Sequence, residues 1–182
     1  PYYLESPWFK NGEKVKLPED FYSSEFFVDQ MIQFIEEDRR ENSPFFAYLS
    51  FQAQHIPLQA PQNFINKYLT TYEDGWEILR ELRRKQAVEK GIFSADKNIV
   101  DSFSSFDSWS DTTQEDKKMF IKSMAVFAGM LDAMDFHIGR FINYLKEEGL
   151  YENTIFIVTA DNGPEGNDPS DHKPWRDWIK TT

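Results

Sequence analysis

Residues 155–163 read IFIVTADNG and residues 45–57 read FFAYLSFQAQHIP. In both, an apolar run ends on polar groups that could do chemistry. The later run ends on Asp161 and Asn162, a charged and a neutral oxygen donor side by side. Hard oxygen donors of this kind suit calcium or magnesium. Asn-Gly is also a favoured turn pair, so the pair alone leaves a turn and a metal site both open. The earlier run is followed by His55, on a loop stiffened by Pro57. A histidine there could donate a proton or hydrogen-bond an anion near neutral pH. A lone loop histidine is more often only a polar surface residue. The two candidates support each other because ligands of open α/β sheets sit at the carboxyl ends of strands.

The remaining polar features read as structural. His137 falls among core positions of a long helical pattern. His172 and Lys173 lie past the second apolar run without a spacing that points to chemistry. Arg80, Arg83, Arg84 and Lys85 are interleaved with Glu77, Glu81 and Glu89, the pattern of a solvated helix face.

Several elements would have to position these residues. Asn11-Gly12 marks a hairpin. A helix begins near Ser23 or Ser24, either of which can cap it, with an apolar stripe through Phe27, Val28, Met31, Ile32 and Ile35. It breaks at Asn42-Ser43-Pro44. Residues 45–51 are short, aromatic and almost wholly apolar, which predicts a strand buried on both faces. Pro61 suits the first turn of a helix over QNFINKY. Residues 72–91 form a helix with Trp76, Leu79 and Leu82 in repeat, stopped by Gly91. The stretch 92–111 is a long irregular loop with three Phe and one Trp, and loops of that length in compact domains are often functional or mobile. A long helix follows, capped by Thr112 or Thr113 and ended by Gly149. Its predicted core stripe is Phe120, Met124, Phe127, Leu131, Met134, Ile138, Phe141 and Leu145. The run NTIFIVTA is then a second strand. Helices between two buried apolar strands predict an α/β fold with a largely parallel sheet.

Composition narrows the partners. The chain is 40% hydrophobic, with 17 Phe to fill one core, and contains no internal repeat. A net charge of -11 argues against nucleic acid or an anionic membrane as partner. It leaves room for an anionic small substrate, because a bound cation can invert the local field. Without cysteine there is no disulfide, thiolate nucleophile or cysteine zinc site. The apolar runs fall far short of the roughly 20 residues of a membrane span. The sequence starts at Pro1 rather than Met, and both ends read as the interior of a longer polypeptide.

Three ordered blocks together, PFFAYLSFQAQHIPLQAP, MLDAMDFHIGRFINYLKEEGLYENT and TIFIVTADNG, resemble the sulfatase family of the alkaline-phosphatase-like superfamily, most of all bacterial arylsulfatases. LPEDFYSSEFFVDQMIQFIEE fits as well, so the resemblance covers roughly residues 15–166. It implies that residues 1–182 are an internal part of an N-terminal catalytic domain, with no separate second domain and an incomplete sheet. It implies hydrolysis of aryl or carbohydrate sulfate esters, with a formylglycine made from Cys or Ser in a C/S-x-P-x-R motif and a calcium ion on the sulfate oxygens. Asp161 and Asn162 match the later calcium-ligand pair. His55 matches the histidine that hydrogen-bonds sulfate and helps the alcohol leave.

The departures matter equally. No C/S-x-P-x-R occurs in this sequence, and neither Ser6-Pro7 nor Ser43-Pro44 fits it. The family's earlier acidic pair and its other Lys and His site residues have no counterpart here. Two calcium ligands fall short of the about six to eight that calcium takes. The expectation for this chain by itself is therefore no turnover, weak calcium binding, and self-association or domain swapping through unpaired strands. A phosphonate or phosphate monoester hydrolase of the same superfamily is the runner-up reading, and a non-catalytic sulfatase relative the rival from another class. The compartment, periplasmic or secreted against cytoplasmic in a bacterium, is left open by the sequence.

Overall fold

The computed structural model describes residues 7–40, 43–95, 108–163 and 176–177. The hairpin expected at Asn11-Gly12 is present. Strands β1 (Trp8–Lys10) and β2 (Glu13–Val15) pair antiparallel, Trp8 opposite Val15. Both turn residues have positive φ, 51° at Asn11 and 84° at Gly12, the backbone that lets a two-residue turn match the twist of its strands. Trp8 packs its ring on Phe21 and Phe27 and so lays the hairpin against the first helix.

That helix, α1, spans Ser23–Asp38. Val28 and Ile35 face inward as the apolar spacing requires. The expected serine cap does not form. The boundary residue is Tyr22, without a side-chain cap, and Ser24 is buried on the packed face. Pro61 precedes α2 (Gln62–Ile65), which runs into a one-turn 3-10 helix at Asn66–Tyr68. Helix α3 covers Gly75–Glu89, and Gly91 stops it at φ 71°. It is attached at its beginning. Trp76 packs edge-on against Trp109 and Phe120, and Glu77 accepts the Trp109 backbone N–H at 2.9 Å. Gly75 is required there, because a Cβ would overlap the Trp109 ring.

Helix α4, Gln114–Glu147, organises the rest. Thr113 caps it, its Oγ1 accepting the Asp116 N–H at 3.1 Å. Both α1 and α2 pack along it. Its buried positions Met119, Ser123, Val126, Met130, Ala133 and His137 repeat at helical spacing. They lie one residue, or about 100° around the helix, from most of the predicted stripe. Of that stripe only Leu145 is fully buried, and Leu131 is exposed. The physical reason is size. Gly129 lets the backbones of α4 and α2 approach closely, which a large side chain at that position would prevent. The resulting core joins Leu58, Ile65, Ala125, Val126 and Met130. Full burial of a side chain such as Ile65 is worth about 1.5–3 kcal/mol. The rim ion pairs Arg39–Glu148, Lys67–Asp132 and Arg140–Asp29 are partly exposed and contribute about 0–1 kcal/mol each, so the core decides the packing.

The two expected strands differ most from expectation. Residues 45–51 and 154–160 enter no ladder among the described residues, whose one sheet is the β1–β2 hairpin. Residues 45–51 alternate half-buried and exposed, with Phe46 91% and Tyr48 77% exposed. In the second segment Ile155, Ile157 and Val158 are 85–91% exposed. A short apolar run is buried on both faces only when neighbouring strands and helices cover both, and among the described residues none covers both faces of either segment. No helix among the described residues is long and apolar enough to cross a membrane.

Candidate active site

His55 stands on a turn that follows the extended segment 45–51. Its backbone N–H donates to Gln52 O at 2.8 Å and closes the turn. Cis peptide bonds lie at Ala53–Gln54 and Ile56–Pro57. The residues around His55 are anchored. Pro57 and Leu58 are buried, Ala53 and Ile56 pack on the core cluster, and Gln54 Nε2 donates to Phe127 O of α4 at 3.2 Å. The imidazole itself is exposed, with Nδ1 2.6 Å from Ile56 O. A carbonyl oxygen can only accept, so Nδ1 carries a proton and Nε2 is the nitrogen available to a ligand.

Asp161 and Asn162 stand on the bend that ends the second extended segment. Asp161 Oδ1 accepts the Asn162 N–H at 2.9 Å, and Asn162 Nδ2 donates to Gly163 O at 2.7 Å. The two bonds shape a local bend, and neither uses Asp161 Oδ2 or Asn162 Oδ1. Both side chains are exposed. Their donor types fit calcium, but among the described residues no group of three or more His, Asp or Glu side chains could hold a metal ion. The hydrogen bonds of His55 and of the Asp161–Asn162 turn are all local, so none joins the two places.

His137 is structural, as its helical position implies. It is buried between α1 and α4, its ring against Phe136 and near Tyr22. Nδ1 lies 3.0 Å from the Arg140 guanidinium, which also binds Asp29 at 2.7 Å. Burial holds its pKa below the ordinary histidine value, and Arg140 pushes the same way, against Glu25 and Asp29. Arg84 and Lys85 pair with Glu81 and Glu89 on a solvated face, again as expected. An open groove of about 730 Å³ runs along α3, and neither His55 nor Asp161 lines it. His172, Lys173 and the centre of the 92–111 loop lie outside the described residues.

Sequence reasoning passed over the two glutamines beside His55. Gln54 reaches α4, and the Gln52 Oε1 is buried without a hydrogen-bond partner among the described residues. Their signal was faint: they are two of the four glutamines in the loop QAQHIPLQAPQ, and neither type nor spacing marks them out.

Comparison with known proteins fits these blocks. The Sulfatase family profile matches residues 2–180. An uncharacterized sulfatase of Schizosaccharomyces pombe is 38% identical over 152 residues, which is 81% of this chain and 27% of that protein. An arylsulfatase of Klebsiella aerogenes is 36% identical over 154 residues, 85% of this chain and 33% of that enzyme. A multifunctional alkaline phosphatase superfamily protein of Trinickia caryophylli is 26% identical over 160 residues, covering 84% and 29% respectively. The chain thus spans about a quarter to a third of the length of these relatives. A yeast protein stands among them, so the sequence pattern is not peculiar to bacteria. The family implies an α/β fold of the alkaline-phosphatase type, and with its profile running through almost every residue, the chain belongs to the sulfatase family.

Proposed function

We propose that the full-length protein containing this chain hydrolyses aryl or carbohydrate sulfate esters, with residues 1–182 as part of a single catalytic domain. In that domain segments 45–51 and 154–160 would be strands of a largely parallel sheet, with His55, Asp161 and Asn162 at their carboxyl ends. The observation that carries the reading is the exposed, oriented imidazole of His55, set on a turn directly after one apolar segment, as Asp161 is after the other. A calcium ion, when bound, would neutralise charge on the sulfate oxygens, and a formylglycine from a motif absent from these 182 residues would supply the nucleophile.

The chain's own contribution follows from the Nδ1 bond. When the S–O ester bond breaks, its electron pair stays on the leaving oxygen. Protonated His55 gives that oxygen the Nε2 proton and is left as the neutral Nδ1–H tautomer, which Ile56 O already holds. Asp161 and Asn162 would hold calcium through Oδ oxygens, as two of its ligands.

In the full-length protein, His55→Ala should lower kcat by about 100-fold or more on an alkyl sulfate, whose leaving oxygen needs the proton, and by less on p-nitrophenyl sulfate. Equal retention of activity on both esters would remove His55 from the mechanism. A second reading, hydrolysis of phosphate or phosphonate monoesters, draws on the likeness to the alkaline phosphatase superfamily protein. It predicts faster turnover of p-nitrophenyl phosphate than of the sulfate.

A further inference from the structure

We propose that Gln54 is a positioning residue for His55, its carboxamide fixing the direction of the turn that presents the imidazole. The proposal rests on the reading of His55 as proton donor.

The turn is attached to α4 in two ways. Ala53 and Ile56 pack on the cluster of Leu58, Ile65, Ala125, Val126 and Met130. Such apolar contact resists separation but has little directional preference. The bond from Gln54 Nε2 to Phe127 O, 3.2 Å long and spanning 73 residues of sequence, is directional. A helix carbonyl keeps a second lone pair beside its own helical bond, so Phe127 can accept it without losing helix structure. His55 lies between the two anchors. Its Nδ1 is held by Ile56 O, and Ile56 is placed by the core. A rotation of the turn about its apolar footing would swing the ring and carry Nε2 away from a substrate oxygen. A displacement of about 1 Å in a reacting group can cost roughly 100-fold in rate. Gln54 does not titrate, and its donor is directed to α4, so its effect passes through His55.

Three variants of the full-length protein test this. Gln54→Met keeps the length and loses the donor. Gln54→Lys restores a donor. His55→Ala provides the background. Gln54→Met should lower kcat about 10-fold on an alkyl sulfate and less on p-nitrophenyl sulfate, with KM within about two-fold. Gln54→Lys should recover part of the loss. In the His55→Ala background Gln54→Met should add nothing, because both changes remove one function. A readout independent of turnover is the imidazole nitrogen spectrum of protein labelled with 15N-histidine. Wild type should show one fixed Nδ1–H tautomer for His55, identified by its loss in His55→Ala, and Gln54→Met should show tautomer averaging. An unchanged tautomer signal, or an equal loss with and without His55, would overturn the role of Gln54 and leave the His55 reading standing. Full activity of His55→Ala on both esters would overturn that reading, and the proposal with it.

Discussion

Gly129 of α4 lies directly against the backbone of Ile65 in α2. A Cβ at Gly129 would sit 3.1 Å from Ile65 N and 3.2 Å from its Cα. The neighbour is backbone rather than the end of a flexible side chain, so it cannot turn aside. Gly129→Ala gains up to about 1 kcal/mol in helix propensity and loses about 1–3 kcal/mol to overpacking. The net is expected to be destabilising, with Tm lower by several degrees in a thermal melt. An unchanged or higher Tm would mean that α2 and α4 do not meet this closely.

His137 makes stability depend on pH. Its folded pKa is depressed, chiefly by burial, while in the unfolded chain it titrates near about 6.5. Below that pH the unfolded state binds a proton that the folded state refuses. Stability from this residue is therefore present above about pH 6.5 and is lost as pH falls toward the lower folded value. Between pH 7.5 and 5.5 the Tm of wild type should fall more than that of His137→Gln, whose amide oxygen can still accept from Arg140. Parallel pH profiles would exclude the residue as the source.

Calcium offers a test of the Asp161–Asn162 assignment. A ligand that binds only the folded state raises Tm. Calcium should raise the Tm of the full-length protein, and Asp161→Ala should at least halve that rise at the same calcium concentration. An equal rise in both proteins would show that the ion sits elsewhere.

The exposed faces of segments 45–51 and 154–160 predict how the 182-residue chain behaves in isolation. Phe46, Tyr48, Ile155, Ile157 and Val158 present apolar side chains beside backbone that enters no ladder among the described residues, a template for strand pairing. At tens of micromolar the chain should scatter light as species larger than its 21.5 kDa mass. The double change Tyr48→Lys and Ile157→Lys should shift it toward the monomer. A monomeric wild-type chain would refute this.

Local signals were legible where a residue acts on its own backbone. Asn11-Gly12 placed the hairpin, Pro61 the start of α2, and Thr112 or Thr113 the cap of α4, which is Thr113; the serine cap expected for α1 is the exception, since Tyr22 stands at that boundary. Gly91 and Gly149 ended helices with positive φ, where a side chain would be strained. Properties that depend on a partner were not legible. The apolar residues of α4 form adjacent stripes, and the buried one carries Gly129, where α2 backbone comes too close for a large side chain. The run 155–160 is apolar enough for a buried strand, yet only a neighbour can bury it. His55 and Asp161 were legible as residue types after apolar runs. The tautomer of His55 was not, because it depends on where Ile56 O comes to lie.

The proposed cleavage of sulfate esters is a property of the full-length protein and is tested there. The most direct measurement is kcat/KM of the full-length protein on p-nitrophenyl sulfate and p-nitrophenyl phosphate, with calcium and after its removal by a chelator. Turnover of the sulfate should be at least about 10-fold above that of the phosphate, a discrimination of about 1.4 kcal/mol in the transition state, and should be abolished with the metal. Preference for the phosphate, or no turnover of either ester, would contradict it.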